Sequence, residues 1–148
     1  PHGLEDIEFL ISTNPGAAPQ PLGKIASGGE LSRISLAIQV VTASGGTVPS
    51  MVFDEVDVGI GGAVAEVVGG LLRDLAKEAQ VLCVTHLPQV AAQGHQHLQV
   101  SKSADKKTVQ TAMSRLDANG RVDEIARMLG GVKITEQTLA HAREMLES

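Results

Sequence analysis

Apolar residues at Leu31, Ile34, Ile38 and Val41 recur at the three- and four-residue spacing of one helical face. A long helix is therefore predicted directly after Ser27-Gly28-Gly29-Glu30, ending at Ser44-Gly45-Gly46. Upstream, residues 7–11 are apolar enough for a strand. Residues 14–23, with three Pro and two Gly, read as an exposed loop. Residues 49–53 form a short apolar strand running into Asp54-Glu55. The glycine-rich turn Gly59-Ile60-Gly61-Gly62 then leads into a second helix, with Val64, Val67, Val68, Leu71 and Leu75 on its apolar face. Residues 81–85 form the next strand, which ends at His86.

Strand, helix, strand is a βαβ unit, so these two strands are predicted to be parallel with a right-handed crossover. Their almost wholly apolar composition fits a sheet covered on both faces. Further on, residues 98–101 and 108–116 read as a hairpin around Ala104-Asp105-Lys106-Lys107. Asn119-Gly120 reads as a turn, and helices follow over about 123–129 and 135–146. No repeat or low-complexity tract interrupts this order. The fold class is α/β, in a single domain.

Composition narrows the function. The 148 residues hold two Phe and no Tyr or Trp, so the core is built from Val, Leu, Ile and Ala. Nothing offers the aromatic platform on which single-stranded nucleic acid stacks. A net charge of −5 argues against a broad phosphate-binding surface. The basic cluster Lys102, Lys106 and Lys107 reads as a solvated turn. Cys83, the only cysteine, excludes an internal disulfide, and in its apolar run it reads as a buried, inert thiol. No apolar stretch reaches membrane-spanning length, and no signal peptide opens the chain. The start, Pro1-His2-Gly3, lacks Met and reads as a cut boundary.

Three elements carry candidate chemistry. Ser27-Gly28-Gly29-Glu30 has the form of a capping box, with Ser27 as N-cap and Glu30 three residues on. Capping does not account for two glycines in a first turn, which cost about 1 kcal/mol each relative to Ala. They make sense where something must approach the backbone amides closely, and a helix N-terminus favours phosphate. Met51-Val52-Phe53-Asp54-Glu55 has the form of a Walker B element. In it Asp54 would hold Mg²⁺ and Glu55 would orient or deprotonate the attacking water. His86 ends the neighbouring strand, at the edge where open α/β sheets place ligands. His95 and His97 share one face of a predicted strand, but without a carboxylate or thiol nearby a metal there is disfavoured. Arg33 is placed to reach a phosphate or to pair with Glu30.

The order and spacing of these elements resemble ABC-type ATPases. Ile25-Ala26-Ser27-Gly28-Gly29-Glu30-Leu31-Ser32-Arg33 looks like the ABC signature, and its Glu-Leu-Ser-Arg ending is similar to the SMC and DNA-repair branch. The segment from Val52 to Gly62 and the segment Thr85-His86-Leu87-Pro88-Gln89-Val90-Ala91-Ala92 resemble the RecN family. The resemblance covers roughly residues 22–148. It implies the C-terminal lobe of an ABC-type P-loop ATPase head: a parallel sheet flanked by helices, a small hairpin and C-terminal helices. It implies that Ser27, Gly28, Gly29 and Glu30 face the ATP held by the opposite subunit, and that Asp54 is the Mg²⁺ residue. Glu55 becomes the base, His86 the switch histidine, and Asp57 part of a D-loop at a dimer interface. SMC-like heads commonly carry a final Asp where this chain has Gly61, so no carboxylate role passes to that position.

The implied partners are the chain's own N-terminal head lobe, a second copy across the ATP, and DNA through the whole protein. The implied setting is cytoplasmic and nucleoid-associated, in double-strand break repair and recombination. No G-x-x-x-x-G-K-[ST] occurs in the sequence, so nothing here cradles the α- and β-phosphates. In the family that loop lies far upstream, beyond a coiled coil, and this segment alone is expected to bind ATP weakly or not at all. Two other readings stand beside the ATPase. A non-catalytic ATP-dependent clamp is opposed by Glu55, since a clamp needs no base. A transporter nucleotide-binding domain is opposed by Glu30 and by Val56-Asp57-Val58-Gly59.

Overall fold

The computed structural model describes residues 3–4, 7–12, 16–24, 28–42, 48–105, 108–130 and 133–147. Ser27 and its capping box, the Ser44-Gly45-Gly46 helix end and the Lys106-Lys107 turn lie outside the described residues. The chain opens with two very short antiparallel strands, β1 (Leu10–Ile11) and β2 (Gln20–Pro21), followed by a 3₁₀ turn over Leu22–Lys24. The proline-rich stretch read as loop therefore contains a strand. The pairing stays short because Pro21 has no N–H to donate.

Helix α1 (Gly28–Thr42) buries Gly29 and Leu36. Leu31, Ile38 and Val41, three of the residues that marked its apolar stripe, are exposed instead. The helix carries apolar residues on more than one side, and periodicity alone does not select which side packs. Next come β3 (Ser50–Phe53), helix α2 (Gly62–Leu75) and β4 (Gln80–Cys83). Strands β3 and β4 are parallel and in register from Ser50↔Gln80 to Phe53↔Cys83. The ladder is extended at both ends, by Gln80 N–H to the Pro49 carbonyl and Val84 N–H to the Phe53 carbonyl, each 2.9 Å.

Burial alternates along these strands rather than covering both faces. Phe53 is buried, whereas Val52 is 71% exposed and Val84 60%. Among the described residues this sheet has two strands, so one face stays bare. Helix α2 buries Ala65, Val68, Gly69, Leu72 and Leu75, while Val64 and Val67 point outward. With Leu36, Phe53, Val56 and Val90 these apolar side chains make the first core.

The C-terminal half begins with the short helix α3 (Pro88–Ala92) and a hairpin of β5 (Leu98–Asp105) and β6 (Thr108–Arg115). Helices α4 (Ala118–Gly130) and α5 (Glu136–Glu147) complete it. Asn119 and Gly120 lie inside α4, not in a turn. Asp117 explains this: its Oδ1 accepts the Gly120 N–H at 2.7 Å, a side-chain cap that starts the helix early. Thr135 caps α5 the same way, its hydroxyl accepting the Thr138 N–H at 3.2 Å. A second core packs Ala92 with Ile125, Ala126 and Ala142. No helix among the described residues is long and apolar enough to cross a membrane.

Candidate functional site

The C-terminal ends of β3 and β4 and the start of α1 converge, and each is held by a specific contact. After Phe53 the chain turns sharply. Glu55 takes a left-handed backbone (φ 61°), and the turns close through Val58 N–H to the Glu55 carbonyl at 3.3 Å and Ile60 N–H to the Asp57 carbonyl at 3.4 Å. A non-glycine residue at positive φ is uncommon, and such backbones cluster at functional sites.

The start of α1 packs onto this turn. A Cβ on Gly29 would sit 3.0 Å from the Val58 carbonyl oxygen, tight enough that the turn would have to shift by a few tenths of an ångström. A Cβ on Gly28 would sit 3.4 Å from Glu55 Oε2. The second glycine is thus favoured by the chain's own close approach, before any ligand is considered. The first leaves the helix start open beside the Glu55 carboxylate. Arg33, which sequence left between a phosphate and Glu30, donates from Nη1 to the Val58 carbonyl at 2.8 Å and pins the turn to the helix.

Asp57 is buried to 2% exposure, and its Oδ2 gathers three groups from the segment after β4. The Thr85 hydroxyl donates to it at 2.5 Å, the His86 backbone N–H at 3.0 Å, and His86 Nδ1 lies 3.2 Å away. Thr85 Oγ1 in turn accepts the Leu87 N–H at 3.0 Å. Asp57, singled out by sequence as an interface residue, is therefore committed inside its own chain to His86. Thr85 was read only as a strand residue; the sequence signal for it was a hydroxyl directly before the strand-end histidine.

Asp54 and Glu55 are exposed, and neither carboxylate bonds to a described side chain. Their neighbourhood is electronegative: burial, then Asp57 and then Asp54, pushes the Cys83 thiol up to about 11. Cys83 is accordingly a protonated, unreactive thiol at neutral pH. No cluster of three or more ligating side chains occurs among the described residues. That donor set suits Mg²⁺, which is bound by one or two carboxylates with phosphates and water completing its shell rather than by a protein cage.

Two other features lie apart from these strand ends. A groove of about 560 Å³ between β1 and α1 is mostly apolar, lined by Ile11, Ile34, Ala37, Ile38 and Val41, with Glu30, Arg33 and Thr42 at its polar margin. His95 and His97 precede β5 rather than lying on it. Desolvation pulls His97 down, against Glu124, which raises it.

No family model matches the chain. The chain is 59% identical over 99% of its length to the DNA repair protein RecN of Xylella fastidiosa strain Temecula1. It is 58% identical over 99% to the DNA repair protein RecN of Vibrio cholerae, and 46% over its full length to that of Streptomyces coelicolor. In each case it spans 26% of the relative's length. A solved chain from work on ATP-driven dimerization and DNA-stimulated activation of SMC ATPases matches with a TM-score of 0.53. That match covers 84% of this chain and 81% of the other at 18% identity, and it shows a shared fold.

Proposed function

Because the chain belongs to the RecN family over the quarter of those proteins that it spans, we propose that it is one lobe of an ABC/SMC-type ATPase head. In this reading it supplies the signature, the base and the switch histidine of a composite nucleotide site. The observation that supports this most is the packing of the glycine-opened start of α1 against the acid-bearing turn after β3. A helix start with free amides and a positive dipole end favours an anion, and a carboxylate beside it serves a water that attacks that anion.

Ser27, Gly28, Gly29 and Glu30 would then face the terminal phosphate of an ATP held mainly by the opposite subunit. Asp54 would hold Mg²⁺, which when bound would offset the charge of the phosphates. Glu55 orients the attacking water and takes its proton. His86 meets the γ-phosphate from the strand beside. The bare β3–β4 face, with Val52 and Val84, suits cover by an N-terminal lobe that brings the phosphate loop. Two heads pair around ATP in an isologous dimer, each completing the other's site. The intact protein acts in DNA double-strand break repair and recombination, with DNA met by the protein as a whole. Alone, this segment binds ATP weakly or not at all.

Glu55→Gln in the full-length protein tests the reading. ATP turnover is expected to fall by about 100-fold or more, the scale of a general base, while ATP-bound dimers accumulate. Undiminished turnover would overturn it in favour of an ATP-dependent clamp.

A further inference from the structure

We infer that Asp57 is a positioning residue that holds His86 as the Nδ1–H tautomer and so leaves Nε2 as the nitrogen that meets the nucleotide. The inference rests on the reading of His86 given above, but its geometry stands apart from it. Asp57 Oδ2 and His86 Nδ1 lie 3.2 Å apart, and the carboxylate is 2% exposed. An ionised carboxylate only accepts, so a bare Nδ1 lone pair facing it at that distance would be repelled. With a proton on Nδ1 the ring instead turns a positive N–H edge toward the carboxylate, and the same 3.2 Å approach becomes attractive.

The backbone around the ring is fixed to the same atom. Thr85 Oγ1 and His86 N both donate to Asp57 Oδ2, so the backbone that carries the ring is fixed beside the carboxylate. The ring itself is 69% exposed, and Nε2 bonds to no described residue. One face of the imidazole is thus occupied from within and the other is available. A buried carboxylate that orients a histidine and sets its tautomer is a recurring device in which the acid touches no substrate. Asp57 differs from the acids before it in this respect: Asp54 and Glu55 are exposed toward solvent, while Asp57 turns inward.

The test reads the ring directly. Histidine labelled with ¹⁵N in the 148-residue chain reports which nitrogen carries the proton, at about pH 8.5, where an imidazole is neutral. His86 is expected to be protonated on Nδ1, and Asp57→Asn, whose amide can donate to that nitrogen, to move the proton to Nε2. Thr85→Val removes a tether but keeps the carboxylate, and is expected to retain the Nδ1–H form. Wild-type His86 protonated on Nε2, or one tautomer shared by wild type and Asp57→Asn, would overturn the inference. If Asp57→Asn fails to fold, the wild-type and Thr85→Val spectra still decide it.

In the full-length protein, Asp57→Asn is expected to lower kcat about 10–100-fold with a smaller change in KM. An unchanged kcat would overturn the positioning role. The ATPase reading fails separately, through Glu55→Gln, and that failure leaves the tautomer result untouched.

Discussion

Glu55 shows how much a single residue's backbone reveals. Its left-handed φ of 61° costs about 1–2 kcal/mol for a side chain that is not glycine, and no described side chain bonds to its carboxylate in compensation. Glu55→Gly is therefore expected to stabilise the fold by about 1 kcal/mol, read as a higher urea midpoint with an unchanged slope, while removing the proposed base. A lower midpoint would mean that the turn is not strained. Asp54, Glu55 and His86 could be singled out in the sequence because each follows an apolar strand. What Asp57 does was not legible: a carboxylate two residues after Glu55 looks the same in sequence whether it faces a partner subunit or its own Thr85 and His86. Only the parallel register that brings Phe53 beside Cys83 places the two turns side by side.

Among the elements, α2 teaches the most about what periodicity misses. The sequence pointed to Val64, Val67, Val68, Leu71 and Leu75; Val68 and Leu75 are buried and Leu71 packs on the core, but Val64 and Val67 are exposed, and Ala65, Gly69 and Leu72 join the buried face instead. Hydrophobic scanning weights large side chains, whereas two positions of this face, Ala65 and Gly69, are small. A Cβ on Gly69 would lie 2.9 Å from Gln93 Cγ and 3.2 Å from the Gln89 carbonyl, so α3 crosses α2 at a glycine. Adjacent Gly70 has nothing within 4 Å. Thermal unfolding should separate them. Gly70→Ala is expected to stabilise by up to about 1 kcal/mol through helix propensity. Gly69→Ala is expected to destabilise by about 1 kcal/mol or more, since overpacking outweighs that gain. If both stabilise, the crossing is looser than described. The same contrast explains α4, where Asn119-Gly120 suggested a turn until the Asp117 cap fixed the helix start.

Across the C-terminal half, charged as well as apolar contacts hold the elements together. Glu124 is buried and bonded by Arg127 at 2.7 and 2.8 Å and by Gln99 at 2.6 Å, tying α4 to the hairpin. The hydrogen bond from Arg127 holds its carboxyl below the ordinary value of 4.5, against the opposing effect of burial. A folded value below the unfolded one gives stability that is present above about pH 4.5 and lost as pH falls through that range. Urea midpoints at about pH 7 and about pH 3.5 should therefore differ less in Glu124→Gln than in the parent chain; an equal difference would show that Glu124 does not contribute. The parallel order of β3 and β4 was legible at this scale, because an apolar strand, a helical stripe and a second apolar strand each announce themselves locally, whereas β2 and α3 did not. The bare β3–β4 face was not, since an apolar strand reads the same covered or uncovered. The segment between β4 and α3 has a further consequence, in conformational entropy. Its four residues are held by Val84 N–H to Phe53, by the Asp57 contacts, and by the Leu87 carbonyl accepting from Val90 and Ala91. Ordering a free backbone costs about 1–2 kcal/mol per residue, and here folding has already met that cost. A ligand arriving at His86 finds a rigid edge, and its binding energy is not diverted into freezing a loop.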